Sequence, residues 1–339
     1  METEKQEKNF YEGINKKNLF IVSIVGVIVA TSSLLYVYNH KKRQNETLPP
    51  VTAQIEKAFT PKGSIYLSLS SQKEKTMGIY EYNFDKKTLL PYYIPKNGVA
   101  FTGTFKASSS ELLVAEVLNN KNIQIKQINN QGSSTPITDS AVQTKRHPLY
   151  SVPYDAVIFA GKENVSKVLG KPNDFNVYMK RNGEQEKFIT QGAMPVLTPD
   201  GKSVIVMRSD GLYKVDLVGS STEHIWKTKN SGTALNQQFS ISPKGKYIVW
   251  SYPDGEVMYV LEVSSWSPFK ANIKYTIKTH AFWPVFSPDE EYIAFEEVAW
   301  TNPPSQAKLV VMDLLSLKRN VVQNLDAFIQ SSLFINEWK

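Results

Sequence analysis

Two different hydrophobic patterns divide the chain. Residues 19–38 form one apolar stretch, LFIVSIVGVIVATSSLLYVY, which contains neither a charged residue nor a proline. From about residue 60 onward the apolar residues come instead in short runs, separated by turns rich in Pro, Gly, Ser and Asp. The first pattern is typical of a membrane-spanning helix, and the second is typical of short β-strands.

The apolar stretch is long enough to cross a membrane, because as a helix it would reach about 30 Å. Lysines precede it at 16–17, a basic cluster follows at 41–43, and two tyrosines near its end suit the membrane interface. A cleaved signal peptide is the alternative, with the small residues 30–32 as its cleavage site. Because the apolar run continues through Val37, we predict an uncleaved single-pass anchor.

The flanking charges do not decide the orientation of this anchor, since the stretches of about twenty residues on its two sides contain equal numbers of Lys and Arg. A short N-terminal tail before a single helix most often stays in the cytoplasm, so we predict an extracytoplasmic C-terminal part. The predicted organisation is an N-terminal tail (1–18), a transmembrane helix (19–38), a stalk (39–59) and a repeat domain (60–339).

The C-terminal part repeats with a period of about 45 residues. The clearest units are MPVLTPDGKSVIVM (194–207), QFSISPKGKYIVW (238–250) and WPVFSPDEEYIAF (283–295). Weaker copies have their turns near Pro61, Ser109 and Pro153. Each unit holds about four short strands, which is the signature of a propeller blade.

The two ends of the repeat domain indicate a closed ring. Residues 331–338 have room for one strand only, whereas the first unit lacks a strand ahead of its turn. We therefore predict that the C-terminal strand completes the first blade and removes its open edges. The predicted fold is all-β, a six-bladed β-propeller preceded by a single transmembrane α-helix, with seven blades as the alternative.

The Ser/Thr-Pro-Asp/Lys-Gly-Lys turns also carry a family resemblance. They follow PVL or WPVF and precede IAF or VIV, and the similar third-strand phrases are LYKVDL (212–217) and LVVMDL (309–314). In these features the chain resembles the WD40-like repeats of TolB-type six-bladed propellers, strongly over 194–320 and weakly before it. The resemblance implies the fold and no particular activity, because propellers host unrelated functions. The N-terminal α/β domain of that family has no counterpart in residues 1–60, so its lipoprotein partner is not carried over.

Composition removes several kinds of chemistry. The chain has no cysteine, which excludes disulfides, thiolate nucleophiles and thiolate metal sites. Its net charge of +7 forms no basic stripe and rests mostly on lysine, so we predict no nucleic-acid partner. No Gly-x-Ser-x-Gly elbow is present, which excludes the serine-hydrolase chemistry of related enzymes within this chain. We assign no catalytic residue, no metal ligand and no cofactor, and we interpret the recurrent Asp155, Asp200 and Asp289 as turn-stabilising.

Two long loops indicate where a partner would bind. Residues 161–174 and 298–306 connect second to third strands in units that face each other across a six-bladed ring. Because binding residues concentrate in such loops, we predict a partner-binding face around them. Its candidate residues are Arg146, His147, His280, Phe282, Trp283 and Trp300. One alternative is a metal bound by His147 and His280. The other is that Trp283 packs between blades and that both loops have no function.

The leading hypothesis is a membrane-anchored, extracytoplasmic propeller at the cell membrane. It would act as a non-enzymatic binding or scaffold module for a protein, a peptide or an envelope glycan. The alternative is a propeller enzyme, a lyase or hydrolase with a metal in the central channel, and a third hypothesis is a structural subunit of an envelope complex. We favour the non-enzymatic function.

Overall fold

The structure is a computed structural model. It describes residues 59–71, 76–96, 98–106, 109–118, 122–138, 144–162, 174–219, 221–227, 238–251, 257–297, 307–322 and 333–339. All of these residues belong to one compact unit, Ile55–Lys339.

Within the described residues the chain folds almost entirely into β-strands, with one short 3-10 turn at Val152–Tyr154. The strands are β1 (Ser64–Ser71), β2 (Thr76–Asn83), β3 (Thr88–Tyr93), β4 (Ala100–Phe105), β5 (Leu112–Leu118), β6 (Asn122–Ile128), β7 (Ser134–Pro136), β8 (Thr144–Ser151), β9 (Ala156–Lys162), β10 (Asn176–Arg181), β11 (Lys187–Gln191), β12 (Ala193–Leu197), β13 (Ser203–Arg208), β14 (Gly211–Asp216), β15 (Thr222–Lys227), β16 (Gln238–Ile241), β17 (Tyr247–Ser251), β18 (Val257–Trp266), β19 (Phe269–Lys278), β20 (Ala281–Phe286), β21 (Tyr292–Glu297), β22 (Lys308–Asp313), β23 (Arg319–Val321) and β24 (Leu333–Trp338).

The strands pair as antiparallel meanders. Four sheets have four strands each, in the orders β24-β1-β2-β3, β12-β13-β14-β15, β16-β17-β18-β19 and β20-β21-β22-β23. A further sheet has eight strands and contains one parallel pairing, between β6 and β8 at Ile123 and Thr144. At that pairing it divides into two antiparallel parts, β4-β5-β6-β7 and β8-β9-β10-β11. The all-β propeller fold that the sequence predicts is confirmed.

In each four-stranded sheet, and in each half of the eight-stranded sheet, the strand named first in the orders above lies at the centre of the molecule. These inner strands contact one another in the order β24, β4, β8, β12, β16 and β20, and β20 contacts β24 again. The sheets therefore surround a central axis, and we call the space along it the central channel.

Apolar layers fill the space between successive sheets. Between the last sheet and the first, for example, Tyr292 and Val311 pack against Ile65, Leu333 and Trp338, all of them buried. Equivalent clusters lie between each of the other neighbouring parts. Each fully buried large side chain contributes about 1.5–3 kcal/mol, so these layers are the main stabilising term of the ring.

The C-terminal strand closes the first sheet, as the sequence predicts. β24 pairs antiparallel with β1 over Ile65–Leu69, so one sheet contains strands from both ends of the repeat domain. The backbone of Lys339 exchanges two hydrogen bonds with Ser64, and the indole of Trp338 donates to the carbonyl of Lys62. The predicted closure is confirmed.

The predicted Pro-x-Gly turns are also confirmed. Gly63, Gly201 and Gly245 have φ of +82°, +66° and +72°, in the left-handed region that glycine adopts without steric cost. Asp155 and Glu290 take the same place in their turns with φ of 45° and 65°.

The predicted anchor, residues 19–38, and most of the predicted stalk lie outside the described residues. In the part of the chain that the structure describes, no helix is long and apolar enough to span a membrane.

Candidate binding site at the inner strands

The ring has two distinguishable ends. At one end lie the tight turns that precede the second strands, together with residues 59–63 and Lys339; we call it the turn face. At the other end the inner strands begin and the second strands end, as in the pairing of Thr144 with Lys162; we call it the loop face. The four longest intervals between consecutive strands all start and finish at strand ends on the loop face: 163–175, 228–237, 298–307 and 322–332.

The structure places five of the six predicted binding residues on or beside two inner strands. Arg146 and His147 lie in β8, Phe282 and Trp283 lie in β20, and His280 directly precedes β20. Trp300, like most of the two predicted loops, lies outside the described residues.

A repeated bulge shapes three inner strands. His147, Met194 and Trp283 have φ of 52°, 51° and 51°, and each is followed by a proline. The register of the inner strand against the second strand shifts at each of these residues. A bulky residue with positive φ before proline is disfavoured, at a cost of about 1–3 kcal/mol each. Such bulges redirect side chains. Here the rings of His147 and Trp283 meet each other, whereas Met194 packs against buried apolar residues.

Side chains of the preceding inner strand hold the bulged backbone. The backbone N–H of His147 donates to Oγ1 of Thr102 at 3.2 Å, and the N–H of Trp283 donates to Oε1 of Gln238. In the same way Gly103 donates to Oδ1 of Asn336 at 3.1 Å. These hydrogen bonds join successive inner strands and offset part of the backbone strain.

The rings of His147 and Trp283 meet across the central channel. Their centroids are 6.0 Å apart at an interplanar angle of 29°, although β8 and β20 lie on opposite sides of the ring of inner strands. Trp283 also packs edge-to-face against Phe334 of β24, at 4.9 Å between centroids. This contact therefore closes the channel at the level of the bulges.

Arg146 lies next to this contact, on its loop-face side. Its guanidinium carbon is 5.8 Å from the ring centroid of Phe101 in β4, which is within the range of a cation–π contact. The side chain is half-buried, and its buried Nε has no hydrogen-bond acceptor among the described residues. Burial lowers the pKa of the guanidinium, which nevertheless remains protonated at neutral pH.

Two other titratable groups near the channel have strongly shifted pKa values. Burial, with a smaller contribution from the charge of Arg146, lowers the pKa of His147 to about 4, so its imidazole is neutral at pH 7. Burial raises the pKa of Glu296 to about 8, although its carboxylate accepts the backbone N–H of Leu333. Glu296 pairs in register with Phe282. A carboxyl group close to one of the predicted binding residues was therefore not predicted from the sequence.

Met194, Phe101 and Phe334 also lie in inner strands and were not predicted as binding residues from the sequence. A signal for Met194 was available, because the X-Pro pair at the start of a repeat occurs as His-Pro, Met-Pro and Trp-Pro. Phe101 and Phe334 carry no comparable signal, since their proximity to Arg146 and Trp283 depends on how neighbouring inner strands pack.

The recurrent aspartates act in turns, as the sequence predicts. Asp200 accepts hydrogen bonds from the hydroxyl of Thr198 and the backbone N–H of Lys202, and these bonds lower its pKa despite the opposing effect of burial. Asp289 accepts equivalent bonds from Ser287 and Glu291. Among the described residues, no group of three or more His, Asp or Glu side chains is placed to hold a metal ion.

Comparisons with known proteins support the fold. No sequence profile of a known protein family matches the chain. One stretch of 74 residues, 22% of the chain, is 38% identical to the Tol-Pal system protein TolB of Haemophilus ducreyi and spans 16% of the length of that relative.

Solved structures are similar over a larger part of the chain. The crystal structure of TolB from Acinetobacter baumannii superposes with a TM-score of 0.59 at 17% identity, covering 81% of this chain and 66% of that one. Oligogalacturonate lyase in complex with manganese superposes with a TM-score of 0.52 at 8% identity, covering 73% of this chain and 70% of that one. At these identities the likeness shows the class alone, which is that of TolB-like β-propellers.

Proposed function

We propose that the chain is a membrane-anchored, extracytoplasmic six-bladed propeller that binds a protein, a peptide or an envelope glycan without catalysing a reaction. The count of six is supported by the closed sequence of contacts among β24, β4, β8, β12, β16 and β20. The anchor is supported by the apolar stretch 19–38, and the extracytoplasmic location is the expectation that the protease experiment below tests.

One observation carries the binding function: Arg146, His147 and Trp283 come together from opposite inner strands. Arginine and aromatic side chains are the residue types that most often dominate binding energy at interfaces. Arg146 lies on the loop-face side of the His147–Trp283 contact, so a partner that enters from the loop face would meet the arginine first.

Site-specific photo-crosslinking of the full chain in its native membrane tests this proposal. A photoreactive residue replaces Asp210, which is exposed between β13 and β14 at the loop face. The matched control replaces Glu184, an exposed acidic residue between β10 and β11 at the turn face. We expect a discrete crosslinked species from position 210 and none from position 184. Equal crosslinking from both faces, or none from either, would contradict a partner-binding loop face.

Metal analysis of the purified full chain is the complementary measurement. The proposal predicts no stoichiometric metal, whereas one tightly bound transition metal per chain would support a metal-dependent propeller enzyme instead. Protease accessibility of the repeat domain in intact cells tests the orientation of the anchor. Digestion from outside is expected, and protection of the whole domain would contradict the extracytoplasmic location.

A further inference from the structure

Arg146 differs from the other cations near the loop face. The adjacent Lys145 is fully buried and donates to Glu186 at 2.7 Å and to Gln124 at 2.9 Å. Lys162 lies 3.6 Å from Asp174, and Arg208 donates to the carbonyl of Gln191 and the hydroxyl of Thr190. In the described part of the chain Arg146 has neither an ion-pair partner nor a hydrogen-bond acceptor.

A desolvated cation without a partner costs free energy that a folded protein would avoid by using an apolar residue. The guanidinium of Arg146 also retains partial exposure, on the side of the His147–Trp283 contact that faces the loops. An anionic group arriving from the loop face would therefore meet a guanidinium whose buried Nε has no acceptor among the described residues.

We propose that Arg146 binds a carboxylate of an acidic peptide segment that enters the central channel from the loop face. This inference rests on the proposed binding function and names the chemistry of the ligand.

The local charge favours a carboxylate over a phosphate. Lys145 and Lys162 are already neutralised by Glu186 and Asp174, and burial keeps His147 uncharged at neutral pH. Among the described residues the site thus offers one positive charge without an ion-pair partner, which matches a monoanion. The planar guanidinium binds the two oxygens of a carboxylate side by side.

The aromatic side chains favour a peptide over an acidic glycan. A sugar ring binds by stacking on a free aromatic face, but Trp283 already packs against His147 and Phe334. The ring of Phe101 is contacted by Arg146 itself. A carboxylate on a peptide needs only the guanidinium and a narrow approach to it.

Peptide selection on the full chain in lipid nanodiscs tests the proposal. Random hexapeptides displayed on phage are selected against the nanodisc-bound protein, and the affinity of the best peptide is measured by fluorescence anisotropy. We expect the selected peptides to contain Asp or Glu, and Arg146→Gln to weaken the best one by about 10- to 100-fold. Replacing the acidic residue of the peptide by its amide should weaken binding to the parent protein by a similar factor. The two changes combined should cost little more than either alone.

Matched variants separate the site from general charge and folding effects. Arg181 is the last residue of β10, at the turn face, where it forms an ion pair with Glu184. Arg181→Gln should therefore leave the affinity unchanged. Arg146→Lys keeps the charge but loses the planar fork, and it should retain intermediate affinity. Thermal unfolding shows whether each variant is folded, and the amide-substituted peptide tests the site without any change to the protein.

Several outcomes would overturn the carboxylate site. Two concern the peptides: selected peptides without an acidic residue, or equal affinity of the best peptide for the parent and for Arg146→Gln. Two concern other ligands: inorganic phosphate that competes well below the concentration at which acetate competes, or a galacturonate hexasaccharide that binds through Arg146 where peptides do not bind. If position 210 crosslinks its partner equally in the parent and in Arg146→Gln, the binding face stands and the carboxylate site fails. If position 210 of the parent gives no crosslink, the proposed function itself fails.

Discussion

The turn face and the inner strands differ in how their polar groups are hydrogen-bonded. At the turn face Ser287 donates to Asp289 and accepts the N–H of Tyr292, and the equivalent Thr198 and Ser242 accept hydrogen bonds from the residues that follow them. In the inner strand β8, Arg146 has no ion-pair or hydrogen-bond partner among the described residues and His147 has a strained backbone, and the adjacent strand β21 carries the buried Glu296. The first region is arranged for stability, whereas the second keeps unfavourable features of the kind that is more frequent at functional sites.

The largest effect should come from the closure of the ring. Trp338 is buried, stacks on Phe84 at 4.8 Å and donates to the carbonyl of Lys62, so Trp338→Ala should lower the free energy of unfolding by about 3–5 kcal/mol. Urea unfolding of the full chain in detergent measures it. Leu315→Ala is the control, because Leu315 is 76% exposed and should change stability by less than about 0.5 kcal/mol. Equal effects of the two variants would contradict the closure by β24.

Two adjacent residues of β8 allow a paired and an unpaired cation to be compared directly. Lys145→Met leaves Glu186 and Gln124 without their buried cation, so it should destabilise the fold by about 3 kcal/mol. Arg146→Met removes a cation that has no partner among the described residues, so it should leave stability unchanged or raise it by about 1 kcal/mol. The same unfolding experiment compares the two variants. A loss from Arg146→Met as large as that from Lys145→Met would mean that Arg146 has a structural role.

Two glycines at the turn face separate backbone strain from close packing. Gly245 and Gly183 have φ of +72° and +75°, so alanine costs about 1 kcal/mol at either position for the backbone alone. A methyl group at Gly245 would also overlap the ring of Pro199, whereas at Gly183 it would meet no atom within 4 Å. Gly245→Ala should therefore be less stable than Gly183→Ala by about 1–3 kcal/mol in urea unfolding. Equal losses would show that neighbouring sheets at the turn face are not tightly packed.

The last effect concerns pH, and over the single unit from pH 7 to 8 it should be the smallest of those considered. Because burial raises the pKa of Glu296 to about 8, the folded state keeps a proton that the unfolded chain releases above about pH 4.5. Stability should therefore fall as the pH rises toward 8, by up to about 1.4 kcal/mol per pH unit. Glu296→Gln should remove this dependence between pH 7 and 8, an interval above the ordinary histidine pKa of 6.5, where His147 is neutral in the folded state and mostly neutral in the unfolded state. Parallel stability profiles of the parent and the variant would contradict a buried, protonated Glu296.

The period and the turns were predictable because they depend on short-range rules. Proline and glycine at fixed positions set the turns around Pro199 and Pro243, and alternating apolar runs between them predict strands. The closure of the first sheet by β24 followed from counting strands at the two ends of the repeat domain. Arg146, His147, Phe282 and Trp283 were also found together, because equivalent positions in a repeat return to the same level of the ring.

The charge balance at the site could not be predicted from the sequence. Lys145 and Arg146 are adjacent and chemically similar, yet only the first meets Glu186, which lies far along the chain in another strand connection. Whether a charged group is paired or desolvated depends on which distant side chains share its space, and a repeat pattern carries no such information.

The sequence by itself determined the repeat, the strands, the turns and the apolar stretch 19–38, because each is encoded by the spacing of neighbouring residues. The tertiary structure alone decided that His147 and Trp283 meet across the channel and that Arg146 remains unpaired within the described residues. Ring closure brings residues more than a hundred positions apart into contact. Whether a side chain is buried, and whether a charged group has a partner, depends on such contacts.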